Sequence, residues 1–175
     1  MELNEDAVSG IFPDAAYLVL SSRLVPGLDG GYTIGTLARA RQMAARGADV
    51  QLLTVDPADR AAHDAHRAEF ARRGMLPAAV PLRNLFDEAS APGGGAAAWL
   101  RDAAVDANGE VVPAAEQRVL VDADGRPYAA LPVISGDPDW LLTRAAVSVF
   151  DDGGATVGTL AGFGGLYRAW LSQLA

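Results

Sequence analysis

Two apolar, strand-like segments with a helical segment between them constrain the fold of this chain more than any other feature. The segments Ala16 to Ser22 and Val50 to Val55 are almost continuously apolar, which is typical of central parallel strands that are buried on both faces. A helix is predicted from about Tyr32 to Arg46, and Gly47 is suited to end it. Its apolar stripe consists of Ile34, Leu37, Ala38, Ala44 and Ala45. This order of elements predicts a parallel βαβ unit.

A second helix and a third strand continue this pattern. The helix is predicted from Asp56 to about Arg73, with Asp56 as its N-cap, Pro57 in its first turn and Gly74 as its stop. The strand is predicted from Val80 to Leu85, although prolines are unusual within a strand and Pro81 falls inside this one. The first half of the chain therefore has the alternation of an α/β fold.

The second half of the chain has short strand-like segments separated by Asp-Gly turns. Two hairpins are predicted, one from Arg118 to Val121 with Tyr128 to Val133, the other from Ala145 to Phe150 with Thr156 to Leu160. Pro132 lacks the N–H group that a sheet needs, which predicts an edge position for its strand. An antiparallel meander is expected here, followed by a short helix from Leu166 to Leu174.

The composition disfavours several classes of function. The 175 residues include 22 acidic and 14 basic ones, and the net charge of -8 disfavours nucleic acids and anionic membrane surfaces as partners. Every basic residue is arginine, which excludes lysine-dependent Schiff-base and P-loop chemistry, and the absence of cysteine excludes thiol nucleophiles and thiolate metal sites. The longest apolar run, Ala15 to Leu20, is far shorter than the ~20 residues of a membrane span. With an acidic N-terminus unlike a signal peptide, a cytoplasmic location is expected.

The loop from Ser21 to Thr36 is the most informative candidate site. It passes from the first strand into the helix through Gly30-Gly31, so backbone N–H groups and the positive end of the helix dipole are offered to an anionic or hydroxyl-rich ligand. The alternative is that the two glycines only permit a tight entry into the helix. The glycines here lack the Gly-x-Gly-x-x-Gly spacing of a dinucleotide site. Ser21 and Ser22 end the first strand, where ligands of open α/β sheets bind, but a nucleophilic serine is not expected.

Other polar residues have structural explanations that we favour. Asp56 matches the place of a ribose-binding carboxylate, but an N-cap is the simpler role. His63 and His66 share one helix face at a spacing that can hold a metal, yet the face is rich in charge, so two solvated histidines are expected. The acidic turns lack the spacing of a calcium loop, and no metal site is expected. Core packing is favoured over an interface for Trp99, Trp140 and Trp170.

Several short stretches together resemble a known enzyme family. They are Leu18-Val19-Leu20-Ser21-Ser22, Gly30-Gly31-Tyr32-Thr33, Leu37-Ala38-Arg39-Ala40, Ala45-Arg46-Gly47-Ala48-Asp49-Val50 and Leu53-Thr54-Val55. They resemble the start of GT-B glycosyltransferases of family 4, which are retaining enzymes that use nucleotide sugars. The meander with its Asp-x-Asp-Gly turn is similar to the extended β-sheet subdomain of bacterial glycosyltransferases that modify serine-rich adhesins or wall teichoic acids.

The resemblance implies a fold class, a division into domains and a site. The fold class is α/β, a partial Rossmann-like parallel sheet with an antiparallel β-meander subdomain. The expected segments are a Rossmann-like part at 1–90, the meander at 96–165, and a helix at 166–175 that returns toward the Rossmann-like part. The substrate-binding residues implied are Gly30, Gly31, Tyr32, Thr33 and Ser22. The catalytic residues of the family belong to a second Rossmann-like domain, so none is assigned here.

The resemblance also implies a function. We interpret the chain as the N-terminal, acceptor-side fragment of a retaining hexosyltransferase, with a nucleotide sugar as co-substrate, no other cofactor, and a glycan or protein as acceptor. Family members are more than twice as long, so the isolated chain is expected to be inactive. The meander is a candidate surface for self-association. Two alternatives remain open: a non-catalytic binding or oligomerisation module, and a small nucleotide-binding α/β protein that uses Gly30, Gly31 and Asp56.

Overall fold

The computed structural model describes residues 12–27, 30–57, 59–92, 95–104, 116–133 and 145–174. The chain divides into two compact units, Met1–Asp87 and Glu88–Ala175. A parallel sheet lies in the first unit and a separate antiparallel sheet in the second. This architecture confirms the predicted α/β fold class. The finer division into segments 1–90, 96–165 and 166–175 stays a prediction. Trp140, for which core packing was predicted, lies outside the described residues.

The first unit contains three parallel strands among its described residues. Its elements are β1 (Ala16–Ser21), α1 (Gly31–Ala44), β2 (Asp49–Thr54), α2 (Arg60–Arg72), β3 (Leu82–Asn84) and the start of α3 (Leu85–Ala89). The strand order is β1-β2-β3, so β2 is the middle strand. The prediction that β1 is central and buried on both faces is therefore wrong: Leu20 on β1 is 44% exposed. A continuous apolar run does not distinguish an edge strand from a middle one.

The core of the first unit is built around β2. Val50 and Leu52 pack with Leu37 and Ala40 of α1 and with Phe70 of α2. The buried face of α1 also includes Thr33, and the helix therefore packs through positions 33, 37 and 40. Ile34 was expected in the apolar stripe but is exposed. The packing face therefore includes position 33 in place of the predicted position 34.

The second helix begins three residues later than the sequence predicts. Asp59, rather than Asp56, is its N-cap, and Oδ1 of Asp59 accepts a hydrogen bond of 2.7 Å from the N–H of Ala62. The backbone oxygen of Asp56 instead accepts a hydrogen bond from Nδ2 of Asn84 at the end of β3. Both aspartates suit a cap, and the contact with Asn84 holds residue 56 at the edge of the sheet. Gly74 follows the helix with a φ of +65°, as its predicted role requires.

The second unit contains an antiparallel sheet whose strands follow one another in chain order. Its elements are α4 (Gly95–Ala103), β4 (Gln117–Val121), β5 (Pro127–Pro132), β6 (Val147–Phe150), β7 (Thr156–Leu160) and α5 (Gly162–Leu171). β5 lies between β4 and β6, so the edge position predicted from Pro132 is wrong. The ladder with β6 pairs Ala129 and Ala130, and Pro132 lies beyond these pairs, so among the described residues no ladder bond to β6 needs its N–H.

The turns of this sheet have the predicted chemistry. Oδ1 of Asp122 accepts hydrogen bonds from the N–H groups of Asp124 and Arg126, at 2.8 and 2.9 Å. Gly125 has a φ of +79°, a conformation that side chains disfavour. Oδ1 of Asp151 makes the equivalent bonds in the second turn. The acidic residues of these two turns are therefore used to close hairpins.

Trp170 forms the centre of the second unit. It is fully buried, as its predicted core role requires, and its Nε1–H donates a hydrogen bond of 2.8 Å to Oε2 of Glu88. Trp99 of α4 is half-buried. The helix α4 has no counterpart in the sequence-based prediction, which placed only the meander between residues 96 and 165. No helix in the described parts of the chain is long and apolar enough to cross a membrane.

Candidate functional site

A groove lies at the carboxyl end of β1, next to the first turn of α1. Its lining consists of Ser22, Arg23, Val25, Gly30, Tyr32 and Thr33, and its volume is about 210 Å³. Ligand sites of open parallel sheets are found at this same end of the strands. The volume is below the ~300–1,000 Å³ of sites for drug-sized ligands, so it suits one sugar ring or one phosphate group.

Hydrogen bonds at the end of β1 hold the backbone that forms one wall of the groove. The hydroxyl of Ser21 donates to the backbone oxygen of Arg23 at 2.9 Å. The backbone oxygen of Ser22 accepts from the N–H of Val55 at 3.2 Å, which continues the pairing of β1 with β2 by one residue. Ser22 and Arg23 are exposed at the start of the loop. The groove therefore presents a hydroxyl group and a guanidinium on a constrained backbone.

The other wall is the first turn of α1. Gly30 occupies the N-cap position with φ -58° and ψ 157°, no side chain of the described residues caps the helix, and its first turn has no acidic residue. The N–H of Thr33 donates to the backbone oxygen of Gly30 at 3.1 Å. The N–H groups before it have no partners within a helix, and the positive end of the helix dipole lies there. The ring of Tyr32 is 60% exposed beside it. This wall favours a ligand with oxygen acceptors, and the tyrosine ring is a surface on which a sugar face packs.

The structure brings four of the five predicted site residues together in the groove. Ser22, Gly30, Tyr32 and Thr33 line it, whereas Gly31 starts the helix but is absent from the lining. Sequence reasoning missed Arg23 and Val25, although both fall in the loop after the first strand. A cation directly after a strand end was the available signal for Arg23.

A network of buried polar residues lies farther along the same edge of the sheet. The last residues of the three strands, Ser21, Thr54 and Asn84, stand in register beside one another and are all buried. Nδ2 of Asn84 donates to Oγ1 of Thr54 at 3.1 Å, and the hydroxyl of Thr54 donates to the backbone oxygen of Arg83. Oδ1 of Asn84 accepts from the N–H groups of Phe86 and Asp87. Asn84 thus joins β2, β3 and the first turn of α3.

His63 belongs to this network, contrary to the prediction of a solvated residue. It is 6% exposed, and its Nδ1 lies 2.7 Å from Oδ1 of Asp87. Nη2 of Arg67 is 2.6 Å from the other carboxylate oxygen. The signal that was missed is the spacing of seven residues between His63 and Phe70, which places the histidine on the buried stripe of α2. His66 is half-buried and stays nearer to solvent.

The electrostatics of the network depend on Asp87. Burial raises the pKa of its carboxyl group, but hydrogen bonds from His63 and Arg67 and their charges outweigh burial, so the pKa lies below its usual value. Arg67 is itself held by the backbone oxygen of Leu82 and by Asp64. In the described parts of the chain, no group of three histidine, aspartate or glutamate side chains is arranged for a metal ion.

Comparisons with known proteins identify no family for this chain. No family model and no curated protein matches it. Among solved structures, it is similar to a mutant of S. aureus TarM in complex with fondaparinux, alpha-GlcNAc-glycerol and UDP, with 11% identity and a TM-score of 0.39. The match covers 81% of this chain and 28% of that one. At this TM-score the likeness does not establish a common fold, and no conclusion about function is drawn from it.

Proposed function

We propose that this chain is the acceptor-side part of a retaining glycosyltransferase that takes a hexose from a nucleotide sugar, and that the groove binds a sugar. The observation that carries the proposal is the juxtaposition of Ser22, Arg23, Tyr32 and Thr33 with the uncapped turn at Gly30 in a volume of about 210 Å³. Hydroxyls, a guanidinium, the backbone N–H groups of a helix start and an aromatic face are the groups with which proteins hold sugars and phosphates.

The order of elements supports the same proposal. The stretches that resemble the start of family 4 glycosyltransferases fall on β1, α1 and β2, with Gly30-Gly31 at the turn into the helix. In this proposal the chemistry of transfer belongs to groups outside the described residues. The described residues bind and orient a sugar, and the chain alone is expected to have no transferase activity.

Binding to the isolated chain tests the proposal directly. We expect glucose, N-acetylglucosamine or their uridine diphosphate derivatives to shift the amide NMR signals of residues 30–33 in the ¹⁵N-labelled chain, and to do so saturably. Gly30→Val is the variant expected to block binding. A Cβ at Gly30 meets no atom of the described residues within 4 Å, and the φ of Gly30 suits any residue, so the fold should tolerate the new side chain. Gly35→Ala is the matched control, since Gly35 lies on α1 away from the groove and also has open space around it.

Three outcomes contradict the proposal. One is the absence of shifts at residues 30–33 with every sugar and nucleotide sugar. A second is equal binding by Gly30→Val and the unaltered chain. The third is binding of UDP alone as tightly as its sugar derivatives, which favours the small nucleotide-binding protein. Self-association through the second unit stays a prediction, and light scattering of the same samples measures it.

A further inference from the structure

A second cleft in the first unit contains the buried histidine that the groove does not use. Its lining includes Leu24, Thr54, Asp56, His63 and His66. The cleft has a volume of about 10 Å³, which is close to the space that one water-sized group needs. Thr54 and His63 are buried, whereas Asp56 and His66, which line the same cleft, are partly exposed.

The hydrogen bond to Asp87 determines which nitrogen of His63 carries the proton. An ionised carboxylate only accepts hydrogen bonds, so Nδ1, at 2.7 Å from Oδ1, must be the donor. Arg67 holds the other carboxylate oxygen at 2.6 Å, which favours the ionised form of Asp87. In the neutral imidazole, Nε2 is then an acceptor with an available lone pair.

Nε2 of His63 is buried and has no hydrogen-bond partner within the part of the chain that the structure describes. Buried polar atoms of native proteins nearly always have a partner. With the imidazole neutral, an occupant that satisfies Nε2 donates a hydrogen bond, and the cleft volume of about 10 Å³ admits one hydroxyl group or one water beside it. Asp56 and Arg67 both line the cleft, and their opposite charges favour a neutral occupant over a cation or an anion.

We propose that this cleft is a subsite for one hydroxyl group of a polyhydroxylated ligand, a polyol or a sugar, which donates its hydrogen bond to Nε2 of His63. The site is separate from the groove and does not rest on the proposed function. The loop after β1 contributes to both places, Leu24 to the cleft and Arg23 and Val25 to the groove. In this role His63 is a binding residue, and Asp87 is the positioning residue that fixes its tautomer.

The ¹⁵N signals of the histidine ring in the full chain test the proposal. Glycerol and D-glucose are the probes, and 1,2-dimethoxyethane, which lacks a hydroxyl group, is the matched control ligand. We expect Nδ1 of His63 to be protonated in the free chain, and both probes to move the Nε2 signal upfield saturably while dimethoxyethane leaves it in place. A signal that no probe moves means that water alone fills the cleft, and this overturns the proposal.

Two variants test whether Nε2 of His63 accepts the hydrogen bond of the ligand. The side-chain amide of His63→Asn retains an N–H for Asp87 but has no group in place of Nε2, so we expect roughly tenfold weaker binding of the probes. Glu69→Gln, on the same helix and away from the cleft, should bind as the unaltered chain does. Equal binding by His63→Asn overturns the proposal, as does a free chain in which Nδ1 of His63 is unprotonated. The protonation of Nδ1 is measured on the unaltered chain, so this test remains valid even if His63→Asn does not fold.

Discussion

Nδ1 of His63 lies 2.7 Å from Oδ1 of Asp87, although the two residues are 24 positions apart in the chain. The contact joins the buried face of α2 to the helix that follows β3. Arg67, one turn after His63, reaches the second oxygen of the same carboxylate, and Nη2 of Arg60 donates to the backbone oxygen of Asp87. One residue is thus held by three side chains of a single helix, which fixes that helix against the carboxyl edge of the sheet.

The free energy of unfolding should depend on the ionisation of Asp87. Because its folded pKa lies below the unfolded value of about 3.9, Asp87 stabilises the folded chain above that pH, and the stabilisation is lost as the pH falls through the lower, folded pKa. Urea unfolding at a series of pH values should therefore show falling stability below pH about 4, and Asp87→Asn should flatten this dependence. An unchanged pH profile in Asp87→Asn contradicts the prediction.

Salt distinguishes this buried carboxylate from an exposed one. The pKa of Glu69 is lowered to about 2 by hydrogen bonds from Arg72 and Arg73, but this ion pair lies at the surface. Exposed charges are screened by salt and buried ones much less so. We expect the effect of Glu69→Gln on the pH profile to disappear in high salt, whereas that of Asp87→Asn persists. Equal salt sensitivity of the two variants is the contrary result.

Asn84 should be one of the least replaceable polar residues of the first unit. Asn84→Ala removes the acceptor of two backbone N–H groups and the donor to Thr54 and Asp56, all in a residue that is 1% exposed. We expect a loss of about 3 kcal/mol or more in the free energy of unfolding, since buried N–H groups lose their partners. Thr54→Val, which removes one hydroxyl at similar volume, should cost only about 1 kcal/mol. Urea unfolding measures both, and a similar loss in the two variants contradicts this ranking.

Two glycines near α1 should respond in opposite directions to replacement by alanine. Gly47, which follows the helix, has a φ of +84°, so Gly47→Ala is strained and should destabilise the chain by about 1 kcal/mol. Gly35 lies within the helix and is exposed, and an added methyl group there would meet no atom of the described residues within 4 Å. Gly35→Ala should therefore stabilise the chain by about 0.5–1 kcal/mol. Thermal unfolding monitored by circular dichroism measures both changes, and a shift of the same sign contradicts the argument.

Trp170 should dominate the stability of the second unit. Trp170→Phe removes volume from a fully buried position and leaves Glu88 without the indole donor, for which we expect a loss of about 2–3 kcal/mol. Trp99→Phe is the matched control, because Trp99 is only half-buried, and its effect should be clearly smaller. Chemical unfolding followed by circular dichroism compares the two. Equal losses contradict the central role of Trp170.

Local sequence signals predicted most elements of the fold because they act over a few residues. The apolar runs at β1 and β2, the positive-φ glycine after α1 and the Asp-Gly turns of the second unit each have a cause within about one turn of chain. The predicted start of α2 was wrong because two nearby residues were equally suitable as its N-cap. Asp56 and Asp59 both suit an N-cap, and only the contact between Asn84 and Asp56 settles which residue starts α2.

The sequence by itself determined the α/β alternation, the antiparallel second half and a glycine-led helix start after the first strand. Tertiary structure alone decided that β2 rather than β1 is the middle strand and that His63 is buried against Asp87. It also placed Arg23 beside the turn at Gly30. The physical reason is that secondary structure follows from short-range periodicity and turn chemistry. Strand order, the burial of a single polar residue and the lining of a groove instead depend on segments that meet only when the chain folds.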